Sequence, residues 1–378
     1  MFIKDAIFGN IELTPLEEKV VESAEMQRLR FIRQTGLVSM VYPGSNHSRF
    51  EHSLGTMNIS KEMAKEMELE DDEIEIIALS GLLHDIGHGP FSHLSEGVFS
   101  KYLNTDHERN GIEIIKKSEI KDIIEKAGFS VNEIIKRLLG KEGGEIVTAS
   151  LGADRLDYLL RDAHYTGVSY GVIDYQQIKS KMGFYRKNLA VYLQGVQPAE
   201  SLLLARYFMF ITVYHHHAVE IANKMLEEAM EIAIEENVIE PKEFLYLRDF
   251  ELVNKLMASE SIKPLIKRIL ERRLFKRAIY KEAKGTDFDF DEKAIKSRIE
   301  KSGLNRTEYI VAKNKIEFVS EKIPVISKKG ARIGYLDEIS PIIKSLMKND
   351  ITRFVIASDK KNLSKIRRIA NLRYPTKY

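Results

Sequence analysis

The stretch HDIGHGPFSH, His84 to His93, constrains this chain more than any other feature. It sets three histidines and an aspartate within ten residues, then breaks the chain with Gly87, Gly89 and Pro90. Just before it, IIALSGLL is almost wholly apolar and reads as a buried helix. The histidine–aspartate pair therefore stands where a hydrophobic helix ends. Adjacent helical residues point roughly 100° apart. His84 and Asp85 converge on one ion only where that geometry relaxes, and the two glycines are expected to supply the relaxation. Imidazole beside carboxylate suits a borderline-hard metal.

Most of the remaining chain reads as helix. TPLEEKVVESAEMQRLRFIRQTG opens with Thr14 as N-cap, Pro15 at the first helical position and acids in the first turn, and closes on Gly36. GTMNISKEMAKEME, DDEIEIIALSGLLHD, HERNGIEIIKKS and SVNEIIKRLLG repeat apolar residues at spacings near three and four. A longer helix is expected through PAESLLLARYFMFITVYHHHAVEIANKMLEEAMEIAIEEN. Two regions look extended: a short hairpin near residues 184–195, and TEYIVAKNKIEFVSEKIPVISKKGARIGYL from Thr307, where apolar and polar residues alternate. A last helix, EISPIIKSLMKND, precedes strand-like ITRFVIAS. The expected fold is mainly α, with a helical body over residues 1–300 and a small C-terminal α+β appendage over 301–378. KGTDFDFDEKA, from Lys284, reads as a polar link between them.

Composition removes several classes of function. With no cysteine, disulfides and thiolate metal sites are excluded, so any metal must use His, Asp or Glu. Lys and Arg number 58 against 56 Asp and Glu, which argues against nucleic acid as a main partner. No apolar run reaches the length of a membrane span and no signal-peptide pattern opens the chain, so a soluble cytoplasmic protein is expected.

Three further segments gather the same residue types. SRFEHSLG places His52 near a helix start with Arg49 just before it, and LGADRLDYLLRDAHYTG places Asp154 on another helix. His52, His84, Asp85 and Asp154 together offer two imidazoles and two carboxylates. That set suits Fe, Mn, Zn, Ni or Co and is less natural for calcium. Asp154, Tyr158 and Asp162 are four apart and share one helix face, opposite Leu156, Leu159, Leu160 and Ala163. Arg206 sits amid LLLARYFMF, where a buried guanidinium needs an anionic partner, either a protein carboxylate or a bound phosphate. Consecutive residues His215 to His217 fan out around a helix, so they read as pocket lining or packing rather than as one ligand set. Any of these residues alone could be an ordinary satisfied side chain. RFEHSLG, then HDIGHGPFSH, then DRLDYLLRD, in that order, is far more specific.

In these motifs the chain resembles the HD-domain phosphohydrolases, in particular the deoxynucleoside triphosphate triphosphohydrolases that include the sterile-alpha-motif HD-domain enzymes. The resemblance runs from GNIELTPLEEKVVESAEMQRLRFIRQTG through YPGSNHSRFEHSLG, GLLHDIGHGPFSH, DHER and DRLDYLLRDAHYTG to RYFMFITVYHHH and GARIGYLDEIS. It implies an HD-domain helical bundle core and a divalent metal (Mn, Fe, Zn, Ni, Co or Mg) on His52, His84, Asp85 and Asp154. It implies that His88, His93 and His107 surround the scissile phosphate, with His93 as first candidate for general acid and His107 second. Arg49 and Arg206 match arginines on the triphosphate, and Arg155 stands where the animal enzyme has a lysine. Tyr158, Asp162 and Tyr214 match residues near sugar and phosphates, and Gln34 one at the sugar 3′-hydroxyl. Thr35 departs from the leucine of the animal enzyme, which bears on deoxy-over-ribo selection.

The implied reaction is metal-dependent hydrolysis of a dNTP to a deoxynucleoside and tripolyphosphate. The resemblance also implies a homo-oligomer, and a nucleotide activator site to which Gln27 and Arg30 correspond, with Glu22 where an aspartate is usual. Two other readings remain: another HD-type nucleotide phosphatase or phosphodiesterase, and a non-catalytic protein binding nucleotides or single-stranded nucleic acid.

Overall fold

The computed structural model describes residues 1–284, 291–316, 321–347 and 350–370. A small antiparallel pair, β1 (Phe2–Asp5) and β2 (Gly9–Glu12), leads into helix α1 (Pro15–Glu22). Thr14 caps α1 as read: its hydroxyl accepts from the Glu17 amide while the Glu17 carboxylate accepts from the Thr14 amide. The helix does not run on to Gly36. Ser23 leaves helical geometry at ψ 147°, donates its hydroxyl to the Val20 carbonyl at 2.7 Å and caps the next short helix. A serine that bonds its own backbone competes with helix continuation, which the apolar spacing does not reveal.

Helices α2 (Arg49–Glu66), α3 (Asp71–Leu83) and α5 (Ala153–Thr166) form the core of the body, with α4 (His107–Lys117) packed beside it. Ser48 caps α2 in a capping box with Glu51, and Glu51 also accepts from the Tyr165 hydroxyl at 2.7 Å. Such a cap contributes about 0.5–2 kcal/mol. It also fixes the turn carrying Arg49 and His52. In α3, Ile77 to Leu83 is fully buried on every face, as its continuous apolar run requires. Asp71, Asp72 and Glu73 occupy its first turn, where the helix dipole favours acids.

The expected long helix past residue 196 is broken. Helix α6 (Val196–Met209) widens into one π turn over Phe210–Tyr214, and α7 (His217–Glu235) restarts after an extended His216. Arg353 donates to the His215 carbonyl at 2.6 Å, satisfying a group the interruption frees. Helix α8 (Asp249–Ala258) packs behind α7.

The remaining strands form two sheets. The hairpin β3 (Met182–Tyr185) and β4 (Asn188–Tyr192) extends into β7 (Pro324–Ile326), parallel to β4, and then β8 (Arg332–Tyr335). Central β9 (Ile351–Ser358) pairs antiparallel with β5 (Lys276–Lys284) on one side and β6 (Tyr309–Ile316) on the other. Both sheets therefore draw strands from either side of residue 300. The polar link falls largely at 285–290, outside the described residues. The molecule is mainly helical, as its periodicity predicts. Among the described residues no helix is long and apolar enough to cross a membrane.

Candidate active site

The end of α3 meets the first turn of α2 and the first turn of α5. His52 Nε2 lies 3.2 Å from His84 Nε2, 3.4 Å from Asp85 Oδ2 and 3.1 Å from Asp154 Oδ1. His84 Nε2 is also 3.3 Å from Asp85 Oδ1. The chain tightens after Leu83, where the Ile86 amide reaches back to the Leu83 carbonyl, and this turns both His84 and Asp85 inward. The left-handed residues of the loop are not its glycines but Phe91 and Ser92, at φ 56° and 57°. Gly87 serves a close approach instead: a Cβ there would stand 2.0 Å from the His107 carbonyl oxygen.

The donor set fits a divalent cation. His84 Nδ1 faces the Gly81 carbonyl at 2.8 Å, so the tautomer protonated there leaves a lone pair on Nε2, toward His52. Two imidazole nitrogens this close, flanked by two carboxylates, need a positive charge between them. Burial works against charging His52, yet Asp154, Asp157 and Asp85 push its pKa up to about 10. The field that holds a proton so firmly is the field a metal would feel. Burial alone would raise Asp85, but Arg49 and the adjacent histidines hold it well below the usual carboxylate range. Asp154 is held down likewise by His52 and His84.

Behind this cluster runs a buried relay that the sequence reading did not single out. His52 Nδ1 meets Asp157 Oδ2 at 2.7 Å. Arg161 grips Asp157 with Nε and Nη2, both at 2.9 Å, and reaches Asp5 with Nη1 at 2.8 Å. A carboxylate behind a ligand histidine fixes its tautomer and ring plane. Gly55 makes room for the relay, since a Cβ there would meet Asp157 Oδ1 at 1.8 Å. The signal was available in DRLDYLLRD: Asp157 and Arg161 are four apart, on the face between the pocket residues and the leucines.

The cluster opens into a cavity of about 520 Å³. Gln34, Arg49, His84, Asp85, His88, His93, His107, Asp154, Arg155, Tyr158, Asp162, Arg206 and Tyr214 all line it. His52 stands behind the wall, fully buried. Arg49 donates to Asp85 at 2.5 Å and to Ser92 Oγ at 2.8 Å, and its buried Nη2 has no hydrogen-bond partner. Arg155 spends part of its fork on the Thr148 and Ala149 carbonyls, at 2.5 and 3.1 Å. Arg206 lies over the Phe210 ring at 5.0 Å. Asp162 accepts from the Tyr214 hydroxyl at 2.5 Å and meets His47 Nε2 at 2.7 Å, so each oxygen keeps one lone pair for anything else. Burial and Asp162 together push the Tyr214 hydroxyl well above its usual range. His47 gave no sequence signal.

His88, His93 and His107 gather at the other end. His88 stacks on His107 with centroids 4.0 Å apart, and His93 stands edge-on to His88 at 5.0 Å. Burial, Arg49 and His107 hold His88 well below the usual imidazole range, so it is neutral. Glu96 Oε1 lies 2.8 Å from Nδ1 of both His93 and His107. Burial opposes charge on His107, but Glu96 raises its pKa. Those two histidines in turn hold Glu96 below the usual carboxylate range against its burial. Glu96 was missed, although it follows His93 by three residues on a helical turn. His215 lines the cavity and pairs with Glu220 at 3.0 Å, while His216 packs edge-on to Tyr42.

Glu22, Gln27 and Arg30 do not line the cavity. Gln27 donates to the Val21 carbonyl at 2.8 Å and accepts from Arg30 Nε at 2.7 Å, and the Arg30 guanidinium covers the Phe50 ring at 3.7 Å. Glu22 is exposed at the end of α1.

Residues 49–163 match the HD domain, and residues 173–372 match the HD associated region. The uncharacterized protein MJ1154 of Methanocaldococcus jannaschii is 37% identical over 92% of this chain and 76% of its own length. The deoxynucleoside triphosphate triphosphohydrolase SAMHD1 of Gallus gallus is 31% identical over 46% of this chain and only 35% of its own length. A hypothetical protein from Aquifex aeolicus has a solved structure that superposes with a TM-score of 0.81 at 29% identity, covering 98% of this chain and all of that one.

Proposed function

This chain belongs to the HD-domain family, with the HD associated region behind the domain, and we propose that it hydrolyses deoxynucleoside triphosphates to deoxynucleoside and tripolyphosphate. The observation that carries this reading is the meeting, in one cavity, of an imidazole–carboxylate cluster, three arginines and three histidines. A divalent metal on His52, His84, Asp85 and Asp154 would supply Lewis-acid polarisation of a phosphoryl oxygen and a water activated for attack.

The protein's own residues do the rest. Arg49, Arg155 and Arg206 face a polyanion from different walls, and the unpartnered Nη2 of Arg49 is a donor still to be used. Neutral His88 accepts or donates one hydrogen bond without adding charge. His93 protonates the leaving 5′-oxygen, with His107 second in line. Glu96 accepts a hydrogen bond from His93 Nδ1 and pairs with His107 Nδ1, and so turns Nε2 of each ring to the work. Tyr158 and Tyr214 wall the sugar, and Gln34, whose Oε1 is buried and unpartnered, takes the 3′-hydroxyl. Glu22, Gln27 and Arg30 are the place for an activating nucleotide, and a homo-oligomer is the expected assembly.

The test is incubation of Mn-, Mg-, Fe- and Co-loaded protein with each dNTP and NTP, resolving products by chromatography, with His84→Ala and Asp85→Ala as controls. Tripolyphosphate and a deoxynucleoside, lost in both variants, are expected. Release of single phosphates would keep a phosphohydrolase and remove the α-phosphorus attack. Absence of turnover, with or without GTP as activator, would remove the nucleotide reading.

A further inference from the structure

Outside the HD domain, one buried carboxylate touches both loops that edge the cavity. Asp249 begins α8, in the associated region, and only 9% of it is exposed. Its Oδ1 accepts the Phe91 amide at 2.7 Å and its Oδ2 accepts the Arg33 amide at 3.0 Å. Neither contact is local in sequence, and neither partner is a side chain.

The two amides are well chosen. Phe91 and Ser92 are consecutive non-glycine residues in the left-handed region, a conformation L side chains rarely hold unless the surroundings impose it. They directly precede His93. Ser92 Oγ donates to the Arg33 carbonyl at 2.6 Å and accepts from Arg49 Nε at 2.8 Å. Arg33 precedes Gln34, and its segment runs against the start of α2: the Arg49 amide reaches the Ile32 carbonyl at 2.9 Å and the Gln34 amide the His47 carbonyl at 3.1 Å. Arg28 adds a second tie, from the carbonyls of Ile86 and His88 at 2.8 Å to that of Leu247 at 3.5 Å. Thus one carboxylate stands between the loop bearing His93 and the segment bearing Gln34, and the guanidinium of Arg49 hangs from the same turn.

We propose that Asp249 is a positioning residue: by bonding the Phe91 and Arg33 amides it holds the left-handed Phe91–Ser92 turn, and through that turn sets Arg49 and His93 on the cavity wall. Asparagine cannot replace it. One amide oxygen can serve one N–H, but the NH2 then confronts the other N–H, donor against donor. Burial pushes the Asp249 pKa up to about 6, against the two amides and the Arg33 and Arg28 cations that lower it, so keeping a carboxylate here is costly.

Asp249→Asn tests this, with Glu228→Gln as control, since Glu228 is as deeply buried but pairs with the side chains of Lys296 and Arg306 and bonds neither loop amide. The first readout is amide hydrogen exchange of peptides spanning 86–95 and 30–35 in the full-length protein. Asp249→Asn should speed exchange there about tenfold beyond any change elsewhere, and Glu228→Gln should not. Unchanged local exchange in Asp249→Asn overturns the proposal, whatever the protein's activity. The second readout rests on the proposed hydrolysis: kcat should fall on the order of 100-fold with KM little changed. A full kcat overturns the positioning role. A wild-type protein without turnover leaves the exchange result to decide and counts against the functional reading alone.

Discussion

At one end of the cavity His52 is fully buried, with Asp157, Arg161 and Asp5 stacked behind it in alternating charge. At the other, His93 leaves 69% of its side chain exposed and shares a single carboxylate oxygen with His107. The first end is a set of charges that satisfy one another away from water. The second is a pair of rings on one shared carboxylate, His93 reached by solvent on the loop that Asp249 bonds and His107 at the start of α4. Holding an ion calls for fixed donors whose geometry is decided before anything binds. Moving a proton calls for groups whose charge can change near neutral pH without breaking the fold. Under the proposed hydrolysis, burial and charge would assign the ion to the first end and the proton to the second.

Asp157→Ala should break the first end hardest. It strips Arg161 of one of two buried partners and leaves His52 Nδ1 without its carboxylate. Removing one member of a buried ion pair costs about 3–5 kcal/mol, and the surviving Asp5 contact places this variant near the lower figure. Losing the carboxylate behind a ligand histidine lowers metal affinity about 10- to 100-fold. Urea denaturation and metal content after dialysis measure both. A variant with wild-type stability and full metal content would show that the relay does not brace this end.

Glu96→Gln is the matching change at the other end, with a smaller effect on stability and a distinct one on pH. Glu96 is about a third exposed, so its ion pairs contribute at most about 1 kcal/mol. Its depressed carboxylate contributes above the unfolded value near 4.5 and is lost as pH falls through the folded one. His107 is raised, so its share is complete below 6.5 and is lost as pH rises through its folded value. The pair therefore stabilises most between about pH 4.5 and 6.5. For turnover the sign is also set. Glu96 keeps His107 protonated above 6.5, so with His107 as the acid glutamine should shift the alkaline limb of kcat to lower pH and reduce kcat about 10- to 100-fold. An unmoved alkaline limb would exclude His107 and leave His93 as the acid.

The sequence carried the first end well and the second unevenly. His52, His84, Asp85 and Asp154 come from three separate motifs, and the structure brings them together where the end of α3 meets the first turns of α2 and α5. Asp157 and Glu96 were legible in principle from i, i+4 and i, i+3 spacing, but a charge on a helix is usually solvated, and only packing tells the exceptions. His47 and Asp249 were not legible at all, since their partners lie far away in sequence. The interrupted helices at Ser23 and at Phe210–Tyr214 fail for a related reason. Apolar spacing records which face is buried and is silent on a hydroxyl or a distant arginine that satisfies the backbone where the helix stops.

Arg155 lies between the two ends, and Arg155→Lys should have the smallest effect of the three changes. Its Nη1 is already committed to the Thr148 and Ala149 carbonyls, so only the rest of the guanidinium faces the cavity. Lysine keeps the charge but cannot hold two carbonyls and a phosphate oxygen with one fork. If the residue contributes charge to ground-state and transition-state binding alike, KM should rise about 3- to 10-fold with kcat within about twofold, and metal content and stability should stay as in wild type. Steady-state kinetics on the best dNTP, at saturating metal, separate the two parameters. A fall in kcat at constant KM would mean that Arg155 meets charge developing at the reacting phosphorus. It would then belong with the proton-moving histidines, and the line between the fixed and the titratable ends would run through α5 itself rather than along its edge.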